Sequence, residues 1–275
     1  MNRRNFIKSA FSTVALGTMF SGSAAILNAT NEKKNQAIKF GCAGFTFHKY
    51  SLDDALKMMD RLNIRYMSLK DFHLPINAND EKIAEVLSKF KNKNIIPYTV
   101  GPIYMKSEKA VIDAFSYAQK VGVKLIIAVP DYHLLPLVEE KVKEYDFKVA
   151  IHIHGPDTKV YPDAADVIAH VENLDSRIGI CYDIGHTVRM GHDLLSDFEK
   201  YHTRIYDIHL KDVNKNNRSG HCVEGGRGII DFKKFFSLLI QLNYNGIASI
   251  EYEKDMSDVL PGLAETIGYF NGILS

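Results

Sequence analysis

Cysteine is scarce in this chain: Cys42, Cys181 and Cys222 are the three among 275 residues. An odd and sparse set excludes a disulfide framework. Cys42 and Cys181 lie in apolar, strand-like runs and read as small buried hydrophobes; nothing in the sequence supports a pairing of either with Cys222. An excess of one charge is also lacking, since 34 Lys and Arg face 33 Asp and Glu for a net charge of +1. No strong field therefore recruits nucleic acid or an anionic membrane. No basic stripe with interleaved aromatics is present, so nucleic acid is not expected as a partner. No Gly-x-Gly-x-x-Gly follows the first apolar run of the folded part, which weighs against a dinucleotide-binding fold.

What is present begins with an export segment. Arg3 and Arg4 precede Phe6, Ile7 and Lys8, a short apolar run covers Ala10 to about Phe20, and small residues follow from Ser21 to Ala25. A basic start, a short apolar stretch and small residues make a signal peptide, not a spanning helix. The paired arginines resemble a twin-arginine signal, with Asn2 where Ser or Thr is usual. Residues 1–29 are expected to be removed, with cleavage between Ala25 and Ala29, and 30–37 read as a polar linker. No cysteine follows the apolar run, so a lipid anchor is not expected. The expected location is the periplasm, without stable membrane insertion after signal removal.

From Ile38 to the end, short apolar runs alternate with amphipathic helical stretches. Strands are expected at 38–43, 66–70, 95–100, 125–129, 148–154, 178–183, 205–211 and 246–251, each followed by a helix. Strict βα alternation implies a parallel sheet with helical crossovers. Eight repeats in this length predict an α/β fold, a closed (β/α)8 TIM barrel forming one catalytic domain over 38–275. Hydrophobic residues at 46% and charged residues at 24% suit the core such a barrel buries.

The active site of such a barrel lies at the carboxyl ends of its strands. Here those ends repeatedly carry ionisable or metal-competent side chains. Strand two ends in Lys70, with His73 just after; strand five carries His152 and His154. Strand six ends in Asp183, with His186 in the next turn. Strand seven carries His209, Lys211 and Asp212, and strand eight ends in Glu251. A strand has period two, so His152 and His154 share a face opposite Ile151 and Ile153. A single histidine or glutamate at a strand end is more often a satisfied or solvated group. Four consecutive strands ending this way point to a metal. Imidazole with carboxylate suits one divalent ion of the Mn, Co, Zn or Fe type, and the absence of thiolates argues against a structural zinc site.

The run Cys181-Tyr182-Asp183-Ile184-Gly185-His186, continuing to Asp193, resembles the Asp-x-Gly-His turn of xylose isomerase-like barrels, the sugar phosphate isomerase/epimerase family. Asp207 to Asp212 resembles that family's His-x-Lys-Asp segment, and Glu224 to Asp231 its Gly-rich turn. Gly246 to Glu251 resembles its final strand. The likeness covers the whole chain after the export segment. It implies that Asp183, His209 and Glu251 hold the metal, with a fourth ligand at the end of strand five, where sugar epimerases place a glutamate. His152 stands there, and His154 matches a histidine common in the family; which of the two is the ligand stays open. The Gly225, Gly226 and Gly228 turn reads first as a lead into helix seven and second as a phosphate loop.

The resemblance implies Lewis-acid assistance to enolisation beside a carbonyl of a small carbohydrate. In the epimerases the strand-five and strand-eight glutamates form an acid/base pair, so His152 disfavours symmetric epimerisation. Export disfavours phosphorylated sugars. Exported members of the family are associated with 3-keto-glucoside breakdown. The expected activity is thus a metal-dependent 3-keto-glucoside lyase or 2-hydroxyglucal hydratase. Glu251, His154 and Lys70 would move the proton, while His73, His186, Arg189 and Lys211 would orient sugar oxygens. Lys70 and Arg189 read equally well as members of rim salt bridges. The alternatives are an isomerase or epimerase of a free ketose or cyclitol, and a non-catalytic sugar-binding barrel that keeps its metal. A homo-oligomer is compatible with all three.

Overall fold

The computed structural model describes residues 38–275. The expected signal peptide and linker lie outside the described residues. Eight parallel strands close into a barrel: β1 (Lys39–Cys42), β2 (Tyr66–Leu69), β3 (Ile96–Met105), β4 (Leu125–Pro130), β5 (Lys148–His152), β6 (Ile178–Asp183), β7 (Ile205–Leu210) and β8 (Ile247–Ile250). The seam closes where β1 pairs with β8, Lys39 opposite Ile247 and Cys42 opposite Ile250. The helices are α1 (Leu52–Arg61), α2 (Asp80–Asn92), α3 (Glu108–Val121), α4 (Leu135–Tyr145), α5 (Ala164–Val171), α6 (Ile184–Arg189), α7 (Leu194–Tyr201), α8 (Phe232–Gln241) and α9 (Val259–Leu274).

Local chemistry starts the helices where the sequence predicts. The side chains of Ser51, Asn79, Ser107 and Asp163 accept the backbone N–H three residues on, opening α1, α2, α3 and α5. Each such cap satisfies an otherwise orphaned donor and contributes about 1 kcal/mol. The apolar faces then pack outward from the sheet. Ile151 and Ile153 belong to the large core between strands and helices, whereas Ala150 joins Ile127 and Cys181 in a separate small cluster. That split is the period-two alternation of β5 made visible, and it sets His152 on the same face as Ala150. Phe40 of β1, Phe236 of α8 and Phe270 of α9 stack on one another across the seam, with ring centroids 5.1 to 5.5 Å apart.

Three departures from expectation matter for the site. β3 runs on to Met105, beyond the expected end at Val100, with a register shift against β4 between Val100 and Ile103. A proline inside a strand argues for its end, but the irregularity accommodates Pro102 without terminating the strand. β5 stops at His152, so His154 begins the following turn instead of continuing the strand. A short antiparallel hairpin, Asp212–Val213 with Cys222–Val223, caps β7. The three cysteines are free thiols. No helix among the described residues is long and apolar enough to cross a membrane.

Candidate metal centre

Sheet register assembles the centre. Asp183 at the end of β6 pairs with His209 of β7, and His209 pairs with Ser249 of β8, two residues before Glu251. On the other side, His152 pairs with Cys181. Four side chains from four neighbouring strands therefore turn toward one point. His152, Asp183, His209 and Glu251 each offer a ligand atom within 4.8 Å of the others, and all four are buried. His152 Nε2 lies 3.0 Å from His209 Nδ1. His209 Nδ1 lies 3.1 Å from Glu251 Oε2, and His152 Nε2 lies 4.0 Å from the same oxygen.

The donor set fits a divalent ion. Two imidazole nitrogens and two carboxylates converge from rigid strand ends, the mixed set that suits zinc, manganese, cobalt or iron. Asp183 Oδ2 is buried and forms no hydrogen bond among the described residues; the Lys211 ammonium stands 3.1 Å away as its neighbouring charge, and a buried carboxylate oxygen gains from cations beside it. Its other oxygen is committed, accepting the N–H of His186 at 2.8 Å. Cys181 lies near the two histidines, but burial pushes its thiol well above the ordinary range, so it is a poor ligand.

Electrostatics organise these groups. Burial, helped by the adjacent His209, holds His152 well below the usual histidine range, and burial also lowers His154. His186 is pushed down to about 4 by burial. These rings are neutral near pH 7, the form that donates a lone pair. Burial opposes charge on His209 as well, but Glu251 outweighs it and raises the pKa to about 9. Lys211 bridges the anionic side: its ammonium is 3.1 Å from Asp183 Oδ2, 3.0 Å from Glu251 Oε2 and 3.1 Å from Glu253 Oε2. The three carboxylates hold it charged against the penalty of burial. Beneath the site, His209 Nε2 faces Asp207 Oδ2 at 3.5 Å. Asp207 is fully buried, accepts the Tyr98 hydroxyl at 2.8 Å, and is raised to about 6 by desolvation.

Above His152 and Glu251 opens a cavity of about 200 Å³, room for a small polar molecule. Lys70, His152, His154, His186, Lys211 and Glu251 line it, as expected from the sequence. His154 stands outside the ligand cluster; its Nε2 bonds the Tyr104 hydroxyl at 2.9 Å. Lys70 donates to the Pro102 carbonyl at 2.8 Å.

Two expected substrate-binding residues do not line this cavity. His73 turns its Nε2 to the Tyr50 carbonyl at 3.1 Å and is buried there, away from the cavity lining. Arg189 is drawn to Asp157 at 2.7 Å, the salt-bridge alternative. Conversely, Phe45, Pro102, Tyr104 and Glu253 line the cavity without having been singled out. Glu253 had a legible signal, since it shares a period-two face with Glu251; Tyr104 lay hidden beyond the Gly101-Pro102 step.

Two glycines have steric reasons. A side chain on Gly185 would meet the Lys211 carbonyl at 2.8 Å, so the turn after Asp183 packs against β7 only with glycine there. Gly228 belongs to a turn wrapped around Asp212: the N–H groups of Gly226 and Gly228 each donate to Asp212 Oδ2 at 2.9 Å. A Cβ on Gly228 would stand 2.1 Å from Asp212 Oδ1. The Gly-rich turn holds the protein's own carboxylate, in the place a phosphate loop would keep for its ligand.

Comparison with known proteins agrees with this architecture. A family model described as xylose isomerase-like TIM barrel matches residues 36–271. An inosose dehydratase of Clostridium perfringens is 25% identical over 210 residues, covering 60% of this chain and 68% of that protein. Among solved structures, the 3-keto-D-glucoside 4-epimerase of E. coli superposes with a TM-score of 0.71 at 14% identity, over 86% of this chain and 100% of that one. A zinc-containing IolI protein superposes with a TM-score of 0.71 at 16% identity, over 86% of this chain and 98% of that one.

Proposed function

We propose, for a chain that belongs to the xylose isomerase-like TIM barrel family, that it is an exported divalent-metal-dependent enzyme that eliminates or hydrates beside the ketone of a non-phosphorylated keto-sugar. The observation that carries this reading is the convergence of His152, Asp183, His209 and Glu251 beneath a cavity lined by further proton-transfer groups. A divalent ion bound there supplies Lewis-acid polarisation of a carbonyl. Every other task falls to side chains already in place.

His186 and Lys211 face the cavity and orient sugar oxygens. His154, kept neutral by burial, takes the proton from the carbon beside the ketone. Lys70 reaches into the same cavity from the β2 side and returns a proton to the departing oxygen. Glu251 is held by His209 and Lys211, and this engagement favours its role as ligand over that of proton carrier. The balance for a 3-keto-glucoside is loss of the C2 proton and cleavage of the C1–O bond, giving a 2-hydroxyglucal and a protonated alcohol. The hydratase direction adds water across that double bond.

His152 in place of a carboxylate leaves one strand-end glutamate at the centre, so a two-glutamate epimerisation is disfavoured. A second reading, removal of water from a cyclitol ketone, is favoured by the likeness to inosose dehydratase. The reading as an exported, periplasmic protein is supported by the Arg3-Arg4 pair and the apolar run after it.

The test is incubation of the zinc-, manganese- or cobalt-loaded protein with 3-keto-glucosides, 2-hydroxyglucals and inososes, followed by NMR of the products. Elimination or hydration of a 3-keto-glucose derivative is expected. Clean inversion at a carbinol carbon without elimination would establish an epimerase instead.

A further inference from the structure

The Tyr104–His154 pair stands between two cavities. One is the cavity over the metal centre; the second, of about 220 Å³, is also lined by Tyr104 and His154. Its remaining wall comes from three strand ends. Lys106 follows β3, Val129 lies near the end of β4 with Asp131 just after it, and Thr158 and Val160 lie in the turn after β5. The unexpected length of β3 is what builds this place, because residues 101–105 carry Tyr104 out to line both volumes, where the residue is 52% exposed. A third cavity, beside Asp71, Asn77 and Asp113, touches Tyr104 but shares no other wall residue with the first.

We propose that the second cavity is a subsite for the leaving group of a glycoside, a second sugar ring joined to the keto-sugar held over the metal centre; this rests on the function proposed above. Its chemistry suits such a group. Val129 and Val160 give an apolar floor for ring C–H groups, while a cation, a carboxylate and a hydroxyl stand around them as Lys106, Asp131 and Thr158. Thr158 Oγ1 accepts the Val160 N–H at 3.1 Å, which leaves the hydroxyl free to donate to a sugar oxygen. A site with an apolar base and a few convergent polar groups is the usual form of a small-molecule pocket. A glycoside that occupies both volumes would carry its glycosidic oxygen past the Tyr104–His154 pair, the lining that the two cavities share. A single keto-sugar leaves the second cavity unused.

The experiment compares 3-keto-cellobiose with methyl 3-keto-glucoside by calorimetric titration of the zinc-loaded protein, with turnover followed in parallel. The disaccharide is expected to bind at least about tenfold more tightly, and Val160→Trp, which fills the second cavity, is expected to bring that ratio to about one. Thr158→Phe serves the same purpose should Val160→Trp fold poorly. Equal affinity for the two ligands in the unaltered protein, or a preference that survives both substitutions, overturns the subsite whatever the turnover shows. Preferential binding of the disaccharide without conversion keeps the subsite and overturns the lyase reading.

Discussion

Nε2 of His152 on β5 and Nδ1 of His209 on β7 face each other at 3.0 Å across the one strand between them, β6, with Glu251 reaching the same point. Two imidazoles do not gain by crowding in this way unless a shared proton or cation lies between them. The pair distinguishes the two strand-five histidines, since His154 points instead to Tyr104.

Substitution therefore separates ligand from neighbour. His152→Ala and His209→Ala are each expected to weaken zinc binding at least about 100-fold, beyond the 10- to 100-fold typical of an outer-sphere change. His154→Ala is expected to leave zinc affinity nearly intact while reducing turnover. Competition titration against a zinc indicator measures all three; metal loss with His154→Ala and retention with His152→Ala would exchange their roles.

Asp207 stands below the His209 ring, its carboxylate 3.5 Å from Nε2, and itself accepts the Tyr98 hydroxyl. Asp207→Asn keeps the shape but removes the charge that sets the tautomer. Zinc affinity should fall about 10- to 100-fold with the fold retained, read by the same titration beside circular dichroism.

The glycine turn makes a separate prediction about stability. Asp212 accepts backbone N–H groups from Val213, Gly226, Gly228 and Ile230. Asp212→Ala removes the partner of all four donors and leaves the buried ones, Val213 and Ile230, unpaired, at roughly 1 to 3 kcal/mol for an unsatisfied group, so urea unfolding should show a loss of about 2 kcal/mol or more. Inorganic phosphate should not stabilise the unaltered protein, because the carboxylate fills the turn. Stabilisation by phosphate that tracks this turn would revive a phosphate-loop role.

Asp175 and Arg177 make a two-pronged ion pair, with Nε to Oδ1 at 2.9 Å and a second contact of 2.7 Å to Oδ2. Hydrogen bonds from the Arg177 side chain and backbone hold the Asp175 carboxyl well below the usual range. The folded pKa lies under the unfolded one, so the contribution is present above the unfolded value near 4 and fades as pH falls below it. Asp175→Asn should therefore cost roughly 1 kcal/mol at pH 7, allowing for partial exposure, and much less near pH 2. Unfolding curves at the two pH values check this; a pH-independent difference would mean that packing, not charge, holds the pair.

The barrel and the convergence of strand-end side chains were legible because they obey period two. His152, His209 and Glu251 each follow an apolar residue of the core-facing set, so their direction was fixed by their neighbours. What was not legible depended on long-range partners. Arg189 and His73 have the residue types of substrate ligands, but Asp157 and the Tyr50 carbonyl claim them first. Tyr104 required knowing that β3 passes through Pro102. The role of the Gly-rich turn required knowing that Asp212, sixteen residues before Gly228, fills it.

The central claim is metal-dependent removal of a proton beside a ketone. Solvent-deuterium incorporation and product formation from methyl 3-keto-glucoside, followed by NMR with zinc-loaded and chelator-treated protein, test it most directly. The account predicts loss of the C2 proton with formation of the 2-hydroxyglucal or its hydration product, abolished by the chelator and by His209→Ala. A zinc-loaded protein that binds the keto-sugar yet leaves its C2 proton in place would contradict it.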